Sequence, residues 1–342
     1  MSGDMSMLQQ ALPVGGAASH SVVAVLMALV NLLTHVPFTD LPSPLSMELG
    51  DLRDEYDYVI VGGGSAGSVV ANRLSADPNV RVLLLEAGGL ETAARQIPAL
   101  PPIQIGGQDD WAYMSVPQRN ACLSFHDQRS PLPSGKVLGG TGSINYMMYL
   151  RGNRHDYDRW ATEYGASGWA YEDVLPHFKD IEDFRAGEVT EYHGTDGEVP
   201  VSNVDGSTAA ISPLYMEACQ QAGYAAVDYN GPTQSGCSRL QANIKNGVRV
   251  SSSKAFITPV VEERENLHVA VYSQATKVNF EGSRAVGVSF TRLGEPGYVK
   301  ASGEVILSAG AVGSARLLLI SGVGPKEDLE RLQVGVYINA EF

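Results

Sequence analysis

The segment Tyr58–Ser75, YVIVGGGSAGSVVANRLS, decides the fold, and two known patterns overlap within it. Its glycine-rich centre, Gly62–Gly67, matches G-x-G-x-x-G, the fingerprint of a loop that binds a dinucleotide. The residues from Gly63 onward also match G-x-S-x-G, the turn that exposes the nucleophilic serine of many hydrolases. Both patterns need a strand before the loop and a helix after it. The segment alone therefore leaves the role of Ser65 open.

The surrounding sequence favours the dinucleotide interpretation. YDYVIVG before the loop and VRVLLLE after it are short apolar runs typical of buried parallel strands, and AGSVVANRLSA between them has helical spacing. No earlier strand is predicted that would support a hydrolase sheet. Glu86 lies 19 residues after Gly67, close to the distance at which an acidic residue accepts hydrogen bonds from the ribose. An acid here disfavours NADP, and FAD and NAD remain. Ser65 is not expected to be a nucleophile.

Each residue of the loop has a role in this interpretation. Gly62 allows the tight turn, Gly64 lets the backbone approach the pyrophosphate, and Gly67 lets the helix pack closely. Ser65 and Ala66 begin the helix under the pyrophosphate. There, free N–H groups and the positive end of the helix dipole favour an anion.

Composition excludes several other classes of protein. The 342 residues carry a formal net charge of −14 without a basic run, which disfavours a nucleic-acid partner. Cys122, Cys219 and Cys237 form no C-x-x-C motif, so no metal site is expected, and one disulfide remains possible. Five histidines are expected to be surface or loop residues without a catalytic role: His126, His155, His177, His193 and His268.

Residues 1–55 are expected to form a leader and a linker. The apolar run 21–33, SVVAVLMALVNLL, is too short to span a membrane and has the length of a signal-peptide core. The preceding twenty residues contain no Lys or Arg and include Asp4, which is unlike a signal peptide. Secretion and a disordered or surface-lying leader therefore both remain open.

Hydrophobic periodicity predicts further elements along the chain. These are a short strand in DWAYMSV, a helix through DYDRWATEY, helices over 172–184 and 211–224, a hairpin-like pair over 267–292, a strand in EVILSAG and a helix in SARLLLISGVG.

Two long segments resemble the signatures of one enzyme family. GKVLGGTGSINYMMYLRGNRHDYDRW, from Gly135 to Trp160, resembles the first signature of the glucose–methanol–choline (GMC) oxidoreductases, and GAVGSARLLLISGVGP, from Gly310 to Pro325, is similar to the second. DWAYMSVPQ and GVRVSSSKAFITPV also look like segments of this family. The resemblance implies an α/β fold with a Rossmann-like FAD-binding domain. That domain would occupy 56–170 and 246–342, with part of an α+β substrate domain inserted at 171–245.

The resemblance also implies roles for individual residues around FAD. It places the stretch Gly139–Met148 along the flavin, the Val278 backbone at the adenine edge, and Ala309 and Gly310 where the chain returns to the cofactor. From all of these arguments, the expected FAD contacts are Gly62, Gly64, Ser65, Ala66, Gly67, Glu86, Val137, Gly140, Thr141, Asn145, Tyr146, Met147, Met148, Val278, Ala309 and Gly310.

The implied activity is oxidation of a CH–OH group. The family passes hydride from an alcohol, sugar or choline-like donor to flavin N5, and oxygen or a quinone-type acceptor reoxidises the cofactor. The family's catalytic histidine belongs to its C-terminal half, so we expect no catalytic base here and an incomplete enzyme. The alternatives are a non-catalytic chain that only binds FAD and, less favoured, a serine hydrolase that uses Ser65.

Overall fold

The computed structural model describes residues 52–204 and 211–340. The signal-like run 21–33 and most of the expected linker lie outside these residues. Within the described ranges, no helix is long and apolar enough to cross a membrane.

Strands and helices of the described chain are numbered in sequence order. The strands are β1 (Glu55–Val61), β2 (Val82–Leu85), β3 (Tyr113–Met114), β4 (Pro131–Leu132), β5 (Glu182–Phe184), β6 (Val199–Asn203), β7 (Gln241–Ala242), β8 (Ile244–Lys245), β9 (Val248–Arg249), β10 (Leu267–Ala270), β11 (Ser273–Glu281), β12 (Arg284–Arg292), β13 (Glu295–Leu307), β14 (Val323–Gly324) and β15 (Ile338–Asn339). The helices are α1 (Ser65–Leu74), α2 (Pro101–Gln104), α3 (Arg154–Thr162), α4 (Tyr171–Asp180), α5 (Ile211–Gln221), α6 (Gly310–Ile320) and α7 (Lys326–Arg331).

A six-stranded sheet in the order β10–β2–β1–β13–β12–β11 forms the centre of the fold. Its first four strands are parallel, and β11, β12 and β13 form an antiparallel meander. Successive side chains of the parallel strands point to opposite faces of the sheet. Leu83 packs in one core with Leu317 of α6, whereas Leu84 packs in another with Ala71 of α1. Helices therefore cover both faces, and the predicted α/β class with its βαβ unit is confirmed.

Smaller sheets lie outside this centre. β5, β6 and β7 form a three-stranded sheet whose members all fall within 171–245. Assignment of that range to an inserted substrate-domain part stays a prediction, as do the other domain bounds.

Several predicted elements have different bounds in the structure: the helix predicted over 211–224 ends at Gln221, and three others differ for a clear physical reason. The helix predicted over 172–184 ends at Asp180, because Glu182 and Phe184 turn inward with the two-residue period of a strand. The pair predicted over 267–292 is three strands, since Tyr272 adopts a left-handed φ of 55° and separates β10 from β11. The strand predicted in EVILSAG begins at Glu295. Gly303, directly before EVILSAG, interrupts the apolar pattern and is required by packing, because a Cβ there would lie 2.5 Å from the Asp57 carbonyl oxygen of β1.

Candidate functional site

A cleft of about 520 Å³ opens at the ends of β1, β2 and β13. These strands are parallel, and ligands of open α/β sheets bind outside the carboxyl ends of such strands. Two glycine-rich loops contribute to the lining, and we call Gly62–Gly67 the first loop and Gly139–Asn145 the second loop. The start of α6 completes this side of the cleft with Ala309 and Gly310.

Backbone crowding fixes the first loop. Gly62 has a φ of 100°, and a Cβ there would lie 2.5 Å from the carbonyl oxygen of Ser308 at the end of β13. A Cβ at Gly67 would lie only 2.0 Å from the carbonyl oxygen of Gly62. Real Cβ atoms do not approach that closely, so both positions require glycine for packing within the protein.

Gly64 differs from these two glycines, because nothing in the protein requires it. Its φ is −78°, which any residue adopts, and a Cβ there would meet only the Cα of Gly140, at 3.8 Å. The added atom would stand in the cleft that Gly64 lines. This is the geometry expected where a backbone must lie against a ligand. The residues present therefore fit a bound dinucleotide.

The N-terminus of α1 points to the same kind of ligand. Ser68 donates the first helical hydrogen bond, 2.9 Å to the carbonyl oxygen of Gly64, so the amides of Ser65, Ala66 and Gly67 precede the helical ladder. The first turn of α1 carries no acidic residue. Free amides at the positive end of a helix dipole bind phosphate groups.

Glu86 lies at the base of the cleft, directly after β2. Its two carboxylate oxygens accept hydrogen bonds from the backbone N–H groups of Gly63 and Gly88, each at 2.8 Å. Burial raises the pKa of Glu86 to about 7, although these N–H groups favour its charged form. Each oxygen keeps a second lone pair, so Glu86 is able to accept a further hydrogen bond from a ligand hydroxyl.

The second loop lies directly against the first. The N–H of Gly139 donates to the carbonyl oxygen of Gly63 at 2.7 Å. Gly140 has a φ of 58°, and a Cβ there would lie 2.7 Å from the Cα of Gly64. The two loops thus meet glycine to glycine, and Gly140 and Thr141 line the cleft beside Gly64.

Comparison with known protein families identifies the family of the chain. Residues 56–338 match the family described as GMC oxidoreductase. The chain belongs to the GMC oxidoreductase family. Its resemblance to the family's two signatures, found from the sequence, is thereby confirmed.

Named relatives extend well beyond the length of this chain. Glucose dehydrogenase (FAD, quinone) of Drosophila pseudoobscura pseudoobscura is 45% identical over 285 residues, which are 82% of this chain and 45% of the relative. Oxygen-dependent choline dehydrogenase of Rhizobium etli (strain CIAT 652) is 41% identical over 283 residues, or 82% of this chain and 50% of the relative. The chain spans about half the length of these curated relatives.

A solved structure of similar fold is pyridoxine 4-oxidase from Mesorbium loti. It superposes with a TM-score of 0.77 at 32% sequence identity, over 83% of this chain and 55% of that one. This likeness supports the GMC fold for the described sheet and its flanking helices.

Nine of the sixteen expected FAD contacts line the cleft of this GMC chain. They are Gly62, Gly64, Ser65, Ala66, Glu86, Gly140, Thr141, Ala309 and Gly310. Gly67, the last residue of the first loop, does not line the cleft and instead packs closely against Gly62. Val137 is fully buried next to the second loop.

The four residues Asn145–Met148 continue from the second loop but do not line the described cleft. Tyr146 and Met148 are each 53% exposed, whereas Met147 is buried against Ala242. Met147 has a left-handed φ of 61°, and its N–H donates to Asn145 Oδ1 at 2.9 Å. A contact of these residues with the flavin stays a prediction.

The structure corrects the expectation for Val278. This residue is buried in the sheet core, and its N–H donates to Ser321 Oγ at 2.8 Å, so that group is not available to an adenine. Earlier on the same strand, Ser273, Gln274 and Ala275 line the cleft instead. The correct strand was identified with the wrong position on it, because only the start of β11 lies beside the cleft.

Several lining residues were missed by sequence reasoning. Trp111 and Tyr113 stack with ring centroids 5.8 Å apart, and the Lys136 ammonium lies 4.8 Å from the Trp111 ring centroid. Arg316, on α6, also lines the cleft. No strand pattern predicts this stacking, because Ala112 between the two rings has a left-handed φ of 49° and β3 begins only at Tyr113. No histidine is among the described residues that line this cleft.

His193 was expected to be a surface or loop residue, and it lies in the loop between β5 and β6 but is not exposed. It is buried and stacks on Phe184, with ring centroids 3.6 Å apart. Its two ring nitrogens lie 3.2 Å from Glu182 Oε2 and 2.6 Å from Asp228 Oδ2. Burial alone lowers the pKa of His193, but the hydrogen bonds to both carboxylates outweigh it and the pKa is raised. None of these residues lines the cleft. The cluster therefore stabilises the segment around β5 and does not contact a ligand in the cleft.

Proposed function

We propose that this GMC chain binds FAD in the cleft between the two loops and belongs to an oxidoreductase acting on CH–OH groups. The observation that carries the proposal is Gly64, a glycine that faces the cleft without any packing reason within the protein. The printed name of the glucose dehydrogenase relative includes FAD, which supports the choice of FAD over NAD.

Each part of the cleft has a task in this proposal. The amides at the start of α1 hold the pyrophosphate, and Glu86 accepts a hydrogen bond from a ribose hydroxyl. The second loop offers backbone groups to the flavin, with Gly140 and Thr141 nearest the first loop. FAD, when bound, supplies the acceptor for the hydride of an alcohol, sugar or choline-like donor.

The names of the relatives support small polar donors as substrates. Glucose and choline appear in the names of two GMC relatives, and quinone and oxygen in the same names support these two classes of electron acceptor. No lining residue of the described cleft is a histidine, so the base that removes the hydroxyl proton comes from outside this cleft in the proposal.

Absorption spectroscopy tests the binding of FAD. The purified chain is mixed with FAD and passed through gel filtration, with NAD and FMN in parallel titrations. We expect the visible flavin bands to elute with the protein only after mixing with FAD. Elution of colourless, folded protein, with no change in tryptophan fluorescence on adding FAD, would contradict the proposal.

Two further measurements separate the alternatives. Loss of the visible flavin bands on adding glucose, choline or a primary alcohol without oxygen indicates donor oxidation, whereas retained bands indicate a chain that only binds FAD. A fluorophosphonate reagent tests the hydrolase alternative. We expect no labelling, since in the described part of the chain the Ser65 hydroxyl has no hydrogen bond to a histidine.

A further inference from the structure

A buried polar layer lies beneath the second loop, and Arg249 is its centre. The Arg249 side chain is fully buried, and its guanidinium donates from Nη1 to the Gly142 carbonyl at 2.9 Å and to Asn145 Oδ1 at 2.8 Å. Nη2 donates to the Asn145 carbonyl, and Nε donates to the Arg95 carbonyl at 2.8 Å. One side chain thus joins both ends of the 142–145 stretch to a distant part of the chain.

Glu91 holds the same loop from a second side. Its Oε1 accepts hydrogen bonds from the hydroxyl groups of Ser143, at 2.8 Å, and Ser253, at 2.6 Å, and from the hydroxyl of Ser251. Ser143 is fully buried within the second loop. The carboxylate therefore ties the loop to the 251–253 segment, which follows Arg249 in sequence.

The layer also controls the strained backbone that follows. Asn145 Oδ1 accepts from Arg249 and, at 2.9 Å, from the N–H of Met147. Met147 has a φ of 61°, a conformation that a residue with a side chain holds only when its surroundings impose it. Loss of the Arg249 hydrogen bond therefore frees Asn145 and, through it, Met147.

Burial of the Arg249 guanidinium costs free energy, and packing alone does not explain an arginine at this position. Burial lowers the pKa of the Arg249 guanidinium to about 10, with Glu91 acting in the opposite direction. A buried arginine needs its hydrogen bonds fully satisfied, and an apolar residue of similar volume is often as stable. Neither Arg249 nor Glu91 lines the cleft, so direct contact with a ligand there is not their task.

We propose that Arg249 and Glu91 are positioning residues that fix the second loop and thereby set the affinity and spectrum of the flavin. The inference rests on the proposed binding of FAD. The planar guanidinium is suited to this task because it places several donors in fixed directions, which a lysine ammonium does not. If Arg249 only stabilised the core, its replacement would instead lower stability and raise amide exchange throughout the chain.

Arg249→Lys and Glu91→Gln test the inference, with Arg151→Lys as the matched control. Arg151 is also buried and carboxylate-bound, with Nη2 2.6 Å from Glu182 Oε2, but none of its hydrogen bonds reaches the second loop. Amide hydrogen exchange in the cofactor-free chain reports on the loop directly. Titration with FAD, followed by circular dichroism of the flavin bands, reports on the ligand.

We expect the amides of Asn145 and Met147 to exchange about tenfold faster in the Arg249 and Glu91 variants than in the parent chain. We also expect FAD to bind about tenfold more weakly to them, with altered flavin dichroism. Arg151→Lys is expected to leave both properties unchanged. Unchanged loop exchange in Arg249→Lys and Glu91→Gln would overturn the inference, as would an equal rise in exchange throughout the chain.

Failure of the proposed function has a different signature. If the parent chain binds no FAD, the proposed function is contradicted. Exchange at Asn145 and Met147 in the cofactor-free chain then decides alone whether Arg249 and Glu91 fix the loop. If the parent chain binds FAD and the variants bind it equally well with unchanged dichroism, the positioning role is wrong although FAD binding stands.

Discussion

The two loops of the cleft have similar glycine-rich sequences but are held in different ways. Close backbone approach fixes the first loop, both between Gly67 and Gly62 and between Gly62 and Ser308 at the end of β13, 246 residues away. Side chains from remote positions hold the second loop, since Arg249 is 104 residues from Asn145 and Glu91 is 52 residues from Ser143. Backbone crowding therefore fixes the first loop and side-chain hydrogen bonds fix the second, and single substitutions should affect them differently.

The largest effect is expected from Gly67→Ala in the first loop. The new Cβ would lie 2.0 Å from the Gly62 carbonyl oxygen, and both of its nearest contacts belong to the strand ends. We expect the free energy of unfolding to fall by about 3 kcal/mol or more, with FAD binding lost. Urea unfolding monitored by circular dichroism measures the loss. Gly187→Ala, where φ is not left-handed and no atom lies within 4 Å of the added Cβ, controls for the change from glycine to alanine without crowding.

If Gly67→Ala and the control cost the same, crowding does not hold the first loop. The contrast between backbone support of the first loop and side-chain support of the second would then fail for the first loop.

The second largest effect concerns Glu86 and pH. The folded chain raises the pKa of Glu86 from 4.5 to about 7, so the folded state holds this proton more tightly than the unfolded state. Below pH 4.5 both states are protonated, and as pH rises to 7 only the unfolded state ionises freely. The free energy of unfolding should therefore fall by about 3 kcal/mol over this range.

Urea unfolding of the cofactor-free chain between pH 5 and pH 8 checks this slope, with Glu86→Gln as the control because it cannot titrate. We expect the free energy of unfolding of the parent chain to fall, relative to that of Glu86→Gln, as the pH rises. An identical pH dependence in both would show that Glu86 does not link the first loop to proton binding.

A pair of serine substitutions compares the loops directly. Ser143→Ala removes a donor to the Glu91 carboxylate, whereas Ser68→Ala removes a donor to the Gly63 carbonyl, 3.2 Å away. Both serines are fully buried. Hydrogen bonds to charged groups contribute more, so we expect losses of about 2 kcal/mol and about 1 kcal/mol respectively. Thermal unfolding of the two variants measures these losses. A larger loss for Ser68→Ala than for Ser143→Ala would show that the stronger side-chain support is in the first loop.

The smallest change in stability is expected for Gly64→Ala. Its Cβ meets no protein atom closer than 3.8 Å, so unfolding should change by no more than about 0.5 kcal/mol. FAD affinity should fall about tenfold because the methyl group occupies ligand space. Fluorescence titration measures the affinity. Unchanged affinity together with unchanged stability would remove the main support for the proposed function.

The two loops also differ in how well the sequence predicted them. The first loop, α1 and β2 follow one another within about thirty residues, so pattern and spacing identified the βαβ unit and Glu86. The second loop was recognised only through its resemblance to the GMC signature. The layer under it joins positions far apart in the sequence, and a serine or arginine in such a pair carries no local sign of its partner. Val278 was misplaced and the burial of His193 was not predicted for a related reason, because both depend on tertiary packing.

The pairing of β1 with β13 has a consequence for synthesis of the protein. Glu55 of β1 pairs with Lys300 of β13. The ribosome therefore synthesises about 245 further residues before β1 can pair with β13. At roughly 5–20 residues per second on the ribosome, that interval is roughly ten to fifty seconds. β1 and β2 spend it with an apolar edge open to other chains, a state that favours aggregation. Assembly of the nascent GMC chain is therefore expected to depend on chaperones that shield this edge until β13 arrives.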